Sequence, residues 1–308
     1  MPTRECPRPL DRSGEESCLT TATERFEKHR ARLLGLSYRM LGSRADAEDV
    51  IQDAWLKWSH AAHGDIQSDQ AYLSTIVTRL CLDRLRGERV RRKAYRGPWL
   101  PEPITDAVTL SSQAASEFAD DLSYALLLAL ERLSARERAA FLLHDVFSVP
   151  FAEVAAILEG NAAAARQLAA RARKAIREAR PSPPVPREVH GRLLGAFMRA
   201  LNEGDATLLK TLLREDAVYM NDSGGYRPAA SRPVSGAERI IRLLIGLARR
   251  YQQPEGSVSA MPALVNGSDA LLVYVHRSLV QMWTISTDGV HITAVYVVSN
   301  PEKLARLA

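Results

Sequence analysis

Three aspartates stand at positions i, i+3 and i+7 of one segment: Asp46, Asp49 and Asp53. At 100° per residue they fall on one face of a helix with Glu48 and Gln52 beside them, and apolar residues fall on the opposite face. Carboxylates this close repel one another and add nothing to a lone helix. The face is either a solvated surface or a docking surface for a basic partner protein, whose encounter it would speed.

A second set of residues suits the binding of nucleic acid. The segment 161–179 predicts a helix with alanines on one half and polar groups on the other, preceded by a short turn at Gly160. The helix before it starts at Pro150, with Ser148 as a nearby cap. The polar half carries Arg166, Gln167, Arg171, Arg173, Lys174, Arg177 and Arg180. This pattern predicts a helix-turn-helix whose last helix enters a major groove, where arginine suits guanine, glutamine suits adenine and the remaining cations bind phosphate.

The segment 68–86 also predicts an amphipathic helix. Leu73, Ile76, Val77 and Leu80 form its core stripe. Thr75, Arg79 and Arg86 point the other way, Tyr72 stands near them, and the helix then runs into the basic cluster 89–96. Cations bind phosphates and aromatic rings stack on unpaired bases, so this composition suits nucleic acid. By helical phase, the neighbouring tryptophans at 55 and 58 belong to the core.

Groups that could catalyse proton transfer occur in the last third of the chain. The candidates by type are Asp222, Tyr219, Tyr226, His276 and His291. A carboxylate base in a cavity would suit a cyclase or isomerase. The alternative is that these residues have structural roles. An aspartate close before two glycines favours a turn, and histidines in strands are usually core or surface groups. We expect no catalytic residue and no enzyme.

Metal ligation has little support in the sequence. Cys6, Cys18 and His29 could hold a metal, but their spacing matches no common zinc pattern. Three cysteines make a disulfide framework unexpected and fit a reducing cytosol. The sequence has no apolar run of roughly 18 residues and no apolar core in residues 1–17. We expect a cytoplasmic protein with no metal, no cofactor and no membrane segment.

The net charge is small, +5 over 308 residues, but charged residues are concentrated in local runs. Residues 79–96 hold eight basic and two acidic groups, and residues 166–180 hold six basic and one acidic. Between these runs, residues 97–131 hold six acids and no base. Two cationic surfaces with an anionic spacer indicate a polyanion bound at two places; two solvated helix faces are the alternative.

Composition shifts divide the chain into segments. They are a loose tail (1–20), a helical module (21–96), a linker (97–120), a second helical module (121–180), a proline-rich linker (181–187) and an α+β module (188–308). In the last module we predict helices at 188–203, 205–214 and 236–251, and strands at 270–276, 278–285 and 290–298. A hairpin turn is predicted at 287–289.

The order of these parts resembles the bacterial extracytoplasmic-function (ECF) sigma factors, over about 25–96 and 120–180. The resemblance rests on segments such as Ala-Asp-Ala-Glu-Asp-Val-Ile-Gln-Asp-Ala-Trp-Leu (45–56), Asp-Arg-Leu-Arg (83–86), Leu-Ser-Ala-Arg-Glu-Arg (133–138) and Phe-Ala-Glu-Val-Ala (151–155). It implies that the first module, sigma region 2, binds core RNA polymerase and the promoter −10 element. The second module, sigma region 4, would bind the −35 element.

The resemblance also implies where the contacts lie. Core polymerase, through its β′ and β subunits, would contact Asp46, Glu48, Asp49, Gln52 and Asp53. The −10 element would contact Tyr72, Thr75, Arg79, Arg84, Arg86 and Arg89. The −35 element would contact Arg166, Gln167, Arg171, Arg173 and Lys174. The alanine run at 162–165 offers few base-reading side chains, so no promoter sequence is predicted.

The linker and the last module narrow the resemblance to the SigJ-like subgroup, whose C-terminal extension is SnoaL-like, a cone of curved sheet and helices. The linker reads Trp99-Leu100-Pro101-Glu102-Pro103. The subgroup's Asp-Gly-Gly-Gly-Lys/Arg motif reads Asp222-Ser223-Gly224-Gly225-Tyr226-Arg227, and its Asn-Pro-Asp-Lys-Leu motif reads Asn300-Pro301-Glu302-Lys303-Leu304. The departures are Ser223, Tyr226 and Glu302.

These residues lead to three functional hypotheses. The preferred one is a sigma factor regulated in cis by its cone, without a separate anti-sigma protein, through Trp99, Leu100, Pro101, Glu102, Pro103, Asp222, Gly224, Gly225, Asn300, Pro301 and Lys303. The second is a cone with cyclase or isomerase activity, or with a small-molecule ligand. The third is a one-component repressor, which would bind duplex DNA tightly without polymerase, whereas a sigma factor alone would bind it weakly.

Overall fold

The computed structural model describes residues 12–105, 121–179, 185–250 and 258–307, without the side chains of 12–20, 88–93 and 249–250. Two helical modules come first, and a module of helices around one sheet follows them. No helix within these ranges is both long enough and apolar enough to cross a membrane.

The first module consists of α1 (Arg12–Leu41), α2 (Arg44–Ser59) and α3 (Asp69–Ala94). The apolar face predicted for α2 is confirmed, since Val50, Ile51 and Ala54 are buried and Trp58 donates from Nε1 to the carbonyl of Ala22 at 2.8 Å. Helix α1 begins at Arg12, inside the tail expected over 1–20, because no proline occurs between residue 9 and the end of this helix. Residues 1–11 lie outside the described part.

The second module contains α4 (Tyr124–Glu131), α5 (Ala135–Phe141), a π-helical turn (Leu142–Val146), α6 (Phe151–Ile157) and α7 (Ala162–Ala179). The predicted helix-turn-helix is α6, the turn at Gly160 and α7, where the Asn161 side chain accepts from the Ala164 N–H at 2.8 Å. The cap expected at Ser148 is wrong. Helix α6 starts after Pro150 without a side-chain cap, and Ser148 has a φ of 57°.

The two helical modules share one hydrophobic core. Buried residues of α1 and α2, such as Leu33 and Val50, belong to the same cluster as Phe141 and Val154 of the second module. The buried Arg138 of α5 donates from Nη1 to the carbonyl of Met40 at 2.5 Å. The two helical modules, which the sequence divides by a linker, are therefore joined in one core.

The third module contains α8 (Arg187–Glu203), α9 (Ala206–Leu212), α10 (Ala237–Arg250) and α11 (Pro301–Leu304). Its six strands are β1 (Leu213–Asp222), β2 (Val234–Ser235), β3 (Val258–Val265), β4 (Ser268–Val275), β5 (Ser278–Thr287) and β6 (Ile292–Val298). They form one sheet in the order β2-β1-β6-β5-β4-β3, in which β1 and β6 are parallel and the other pairs antiparallel. The α+β prediction is confirmed, but the helix expected over 205–214 ends at Leu212.

The sheet separates two cores. Helices α8 and α10 cover one face, where Phe197, Tyr219 and Val295 are buried. The linker and α4 cover the other face, where Leu100 is buried and Tyr124 stacks on Tyr296 with ring centroids 5.6 Å apart. The third module is therefore attached to the second through a face of its sheet.

Tight turns join the antiparallel strands. Asn266-Gly267 joins β3 to β4 and His276-Arg277 joins β4 to β5, and all four residues have positive φ angles. His276 and His291 were expected in strands, but His276 lies in this turn and His291 stands just before β6.

Candidate functional site

The aspartates of α2 form a line with an arginine against it. We call Asp46, Glu48, Asp49, Gln52 and Asp53 the acidic stripe. Arg84 of α3 lies 3.4 Å from Asp46, 3.3 Å from Asp49 and 3.3 Å from Asp53. The Asp49 side chain remains 63% exposed and the Asp53 side chain 48%. The stripe is thus partly neutralised from one side and open to solvent on the other.

Glu48 links the acidic stripe to the C-terminal end of the chain. Its carboxylate pairs with Arg44 of the same helix at 2.7 Å and with Arg306, beyond α11, at 2.7 Å. Partial burial alone would raise the pKa of Glu48, but hydrogen bonds from Arg44 and Arg306 outweigh it and lower the pKa. The third module therefore contacts the acidic stripe directly.

Glu102 of the linker stands at the N-terminus of α2. Its Oε2 accepts from the N–H groups of Arg44 at 2.8 Å and Ala45 at 3.3 Å and from the Ser43 hydroxyl at 3.2 Å. These N–H groups have no partner within the helix, and a carboxylate there also faces the positive end of the helix dipole. Arg306 reaches the same carboxylate at 3.6 Å. One buried side chain thus joins linker, α2 and C-terminus.

The residues predicted for the −10 element do not form one open face. Tyr72 is exposed and Arg86 pairs with Asp83 at 2.5 Å on the surface. The Thr75 hydroxyl donates to the Ala71 carbonyl at 2.8 Å. Arg79 pairs with Glu159, in the turn before α7, at 3.2 Å. Arg84 belongs with the acidic stripe instead, and the side chain of Arg89 lies outside the described part.

The residues predicted for the −35 element lie along the outer half of α7. Gln167 is exposed, and the Arg166 guanidinium lies 5.7 Å from the Phe151 ring. Lys174 is 3.9 Å from Glu178, Arg171 pairs with Glu137 at 2.8 Å, and Arg173 pairs with Asp145 at 2.6 Å. The hydrogen bond from Arg171 lowers the pKa of Glu137. The face is cationic, but acidic residues of α5 and of the turn after it already pair with Arg171 and Arg173.

The motif aspartate of the third module is the centre of a buried junction. Asp222 is fully buried. Its Oδ1 accepts from the Tyr95 hydroxyl at 2.5 Å and the Gly224 N–H at 3.1 Å, and its Oδ2 accepts from the Leu100 N–H at 2.8 Å and Lys303 Nζ at 2.7 Å. Every lone pair is used, and the donors come from the end of α3, the linker, the β1 loop and α11.

Lys303 and Trp99 complete this junction. Lys303 also donates to the Leu100 carbonyl and lies 4.3 Å from the centre of the Trp99 ring. The Trp99 ring lies over Gly42, where an added Cβ would come within 2.5 Å of it; Gly42 also has a φ of +69°. A side chain at 42 would therefore push the linker away from the first module.

Two departures from the family motifs meet in space. The hydroxyl of Tyr226 donates to the carboxylate of Glu302, although the two residues stand 76 positions apart. This hydrogen bond raises the pKa of Tyr226. Gly224, in the first motif, has a φ of +59°, and a Cβ added to it would lie 2.6 Å from the side chain of Asn300 in the second motif. The two unusual residues therefore form a direct hydrogen bond between the two motifs.

The catalytic candidates do not form a site. Asp222 has no free lone pair, Tyr219 is buried in the core opposite the linker, and His276 stands in a turn. Burial raises the pKa of Tyr219 to about 12. The described residues contain no group of three or more His, Cys, Asp or Glu placed to hold a metal.

Four residues that contact Asp222, Glu102 or the linker were not identified from the sequence: Tyr38, Tyr95, Asn266 and Arg306. The Tyr38 hydroxyl donates to the Glu102 carbonyl at 2.7 Å and lies 2.6 Å from the Asn266 amide nitrogen. Asn266 also exchanges hydrogen bonds with the Ile104 backbone. The Asn-Gly pair at 266–267 was a hairpin signal that would have placed Asn266 in a turn. No pattern marked the other three.

Comparison with known families agrees with this arrangement. Residues 25–91 match the family model Sigma-70 region 2, and residues 123–176 match Sigma-70, region 4. These ranges coincide with the module that carries the acidic stripe and with the helix-turn-helix. Fold and sequence thus define the class as a sigma-type transcription initiation factor.

Full-length relatives give the particular family. The chain is 39% identical to the ECF RNA polymerase sigma factor SigJ of Mycobacterium tuberculosis, over 90% of this chain and 91% of that protein. It is 32% identical to the probable ECF RNA polymerase sigma factor SigI of that species, over 91% and 93%. The crystal structure of SigJ aligns with a TM-score of 0.73 at 35% identity, covering 92% of this chain and 98% of that one. The chain belongs to the ECF RNA polymerase sigma factors.

Proposed function

We propose that this sigma factor binds core RNA polymerase, at its β′ subunit, through the acidic stripe. Support comes from the open side of the stripe, where Asp49 and Gln52 are exposed. Leu56 continues the same face of α2 with 51% of its surface exposed, which offers an apolar contact beside the carboxylates. A row of carboxylates with an apolar end suits a basic helical partner.

The promoter contacts follow from the two cationic faces. The outer half of α7 holds duplex DNA at the −35 element, with Arg166 and Gln167 nearest the bases and Arg171, Arg173 and Lys174 on phosphates. In the first module, Tyr72, Arg79 and Arg86 receive −10 bases as they leave the stack, which offsets an unpairing cost of a few kcal/mol. Polymerase supplies the chemistry, so the chain needs no catalytic group.

Regulation in cis is the second part of the proposal, and one contact carries it. Arg306, in the last described turn of the chain, pairs with Glu48 of the acidic stripe and with Glu102 at the start of α2. Polymerase bound to the stripe must therefore displace or accommodate the C-terminus. Arg79, in the −10 set, also pairs with Glu159 in the turn before the −35 helix, so the closed arrangement already engages one residue of the −10 set. The SnoaL-like module thus takes the place of a separate anti-sigma protein, in the cytoplasm.

Run-off transcription with purified core polymerase tests the proposal. The full chain, a chain lacking 205–308 and a chain lacking 300–308 are compared on promoter-bearing templates. We expect promoter-dependent product, with the two truncations changing its amount to different degrees. Product levels equal to those of the full chain in both truncations would remove regulation in cis.

Neutralising the acidic stripe tests the polymerase contact. The triple variant Asp46→Asn, Asp49→Asn, Asp53→Asn is used in a pull-down with core polymerase, and we expect a loss of binding of at least tenfold. The matched control is Glu24→Gln, Glu27→Gln, Asp65→Asn, which changes the same charge elsewhere on the first module. Equal capture of wild type and triple variant would contradict the assignment of the stripe.

A further inference from the structure

We propose that Arg84 is a positioning residue for polymerase binding, which holds the aspartates of the acidic stripe in one arrangement before polymerase arrives. This inference rests on the proposed function of the stripe. It gives Arg84 a role different from the −10 contact expected from the sequence. The guanidinium acts through the carboxylates and need not touch polymerase itself.

The geometry is one cation shared among three anions. Nη1 of Arg84 lies 3.4 Å from Oδ1 of Asp46 and 3.3 Å from Oδ2 of Asp49, and Nη2 lies 3.3 Å from Oδ2 of Asp53. The three aspartates span two turns of α2, and Arg84 reaches them from α3. A planar guanidinium with five N–H donors can contact three carboxylates at once, whereas a lysine ammonium is a single point charge.

Helix packing fixes the base of this arginine. Cys81, one turn earlier on α3, is fully buried, and Val77 and Val50 join α3 and α2 in the shared core. The Arg84 side chain is itself only 26% exposed. Burial lowers the pKa of Arg84, but hydrogen bonds to Asp49 and Asp53 outweigh it, and the pKa is raised. The cation therefore sits in a place set by the fold, with its charge retained.

The open side of the stripe remains available. The second oxygens of Asp46, Asp49 and Asp53 make no hydrogen bond or ion pair to any residue that the structure describes. Without Arg84, three carboxylates on one helix face repel one another and spread over several rotamers. With Arg84, one oxygen of each carboxylate is bound, while the side chains of Asp49 and Asp53 stay 63% and 48% exposed. A partner's arginine or lysine then meets acceptors already in place, which reduces the ordering cost of binding.

This role predicts a particular kinetic signature. Arg84 lowers the net charge of the three aspartates from −3 to −2, so it does not help long-range attraction of a basic partner. It helps the lifetime of the bound state, because ordered carboxylates keep their hydrogen bonds. Loss of Arg84 should therefore speed dissociation while association stays equal or becomes faster.

The experiment uses the full chain and core RNA polymerase in biolayer interferometry at low and moderate salt. The variants are Arg84→Gln and Arg84→Lys, and the control is Arg30→Gln, which removes an equal charge from an exposed pair on α1. We expect Arg84→Gln to dissociate roughly tenfold faster without slower association, Arg84→Lys to fall between it and wild type, and the control to match wild type. Melting temperatures show which variants are folded.

The contradicting outcomes are distinct. Dissociation of Arg84→Gln at the wild-type rate, or tighter binding than wild type, overturns the inference; the second result would make Arg84 a competitor of polymerase. Normal core binding with lost promoter opening would make it a DNA contact instead. If Arg84→Gln does not fold, Arg84→Lys decides, and wild-type dissociation of that variant overturns the inference. Failure of wild type itself to bind core polymerase removes the proposed function of the stripe, and this inference with it.

Discussion

Asp222 is a buried charge whose only cationic partner among the described residues can be removed by a single substitution. It is a fully buried carboxylate, and Lys303 is its only cationic partner among the described residues. Removing one partner of a buried ion pair leaves an uncompensated charge, typically at a cost of 3–5 kcal/mol. Three other donors remain on Asp222, so the cost should lie at the low end of that range.

We therefore predict that Lys303→Met lowers the free energy of unfolding by about 3 kcal/mol, measured by urea denaturation. The control is Lys210→Met, whose pair with Glu238 is exposed on both sides, and which should change stability by less than about 0.5 kcal/mol. Similar effects of the two substitutions would show that the junction tolerates a buried charge.

His190 gives the third module a dependence on pH. The residue is buried, and its Nε2 lies 3.0 Å from the Ile285 carbonyl, which can only accept, so Nε2 carries the proton. Its Nδ1 is buried and has no hydrogen-bond partner among the residues that the structure describes. Burial lowers the pKa of His190 below its ordinary value of 6.5. Its contribution to stability is therefore present above pH 6.5 and is lost as the pH falls toward the lowered pKa, because the unfolded chain binds the proton first.

The expected slope is up to about 1.4 kcal/mol per pH unit for one proton. Replacing His190 by Gln keeps an N–H donor for Ile285 and removes the titration. Between pH 7 and 5.5 we expect the melting temperature of wild type to fall more than that of His190→Gln. Parallel curves for the two proteins would exclude His190 as the cause.

For single residues, the sequence predicted which face of a helix a side chain occupies better than it predicted which residues that side chain contacts. The acidic stripe and the arginine half of α7 lie where helical phase put them. The partner of the stripe, Arg84, stands more than 30 positions away on another helix, and only the packing of α2 on α3 decides which arginine faces the stripe. Likewise the motifs marked Asp222 and Lys303 as regulatory residues, but no local pattern shows that Lys303 and Tyr95 converge on Asp222.

Helix α2 is the element on which linker and C-terminus both act. A short linker segment supplies the carboxylate of Glu102 to its first N–H groups, where a partner typically contributes about 1 kcal/mol. We predict that Glu102→Gln, which removes the charge and keeps the shape, lowers stability by about 1 kcal/mol and speeds amide hydrogen exchange at Arg44 and Ala45.

The comparison variant is Glu27→Gln on α1, where the side chain is 58% exposed and far from a helix start. It should leave exchange in α2 unchanged. Equal exchange at Arg44 and Ala45 in wild type and Glu102→Gln would mean that Ser43 and solvent satisfy these groups without the linker.

Two strands were not predicted because their residues hide the sequence pattern that marks a strand. Strand β1 carries Arg214, Glu215 and Asp216 in its first half, so its charges hide the alternation that marks a strand. Strand β3 contains Pro262 and lies at an edge of the sheet, where proline is tolerated because no further strand needs its N–H. Long amphipathic helices and the apolar strands β4, β5 and β6 were recognised because burial imposes a clear period on them.

The hydrophobic cores of the whole molecule do not follow the boundaries between the sequence segments. The apolar faces of α2, α3 and α7 each predict burial, but the sequence of one helix does not show which surface covers its apolar face. Here the apolar faces of two modules cover one another, so regions 2 and 4 form one unit in this closed state. The third module keeps its own core between α8, α10 and the sheet.

A shared core predicts that damage in region 4 is felt in region 2. Phe141 of α5 is fully buried in the common cluster, and replacing a buried phenylalanine by alanine typically costs 3–5 kcal/mol. We expect Phe141→Ala to speed hydrogen exchange in peptides of α1 and α2 as well as in its own module, because the helices lose stability together.

The matched variant is Phe197→Ala, an equally buried phenylalanine of α8, which should speed exchange in the sheet of the third module and leave α2 nearly unchanged. If Phe141→Ala leaves α1 and α2 as protected as in wild type, the two helical modules are independent units that merely touch, and opening toward DNA would need no loss of a common core.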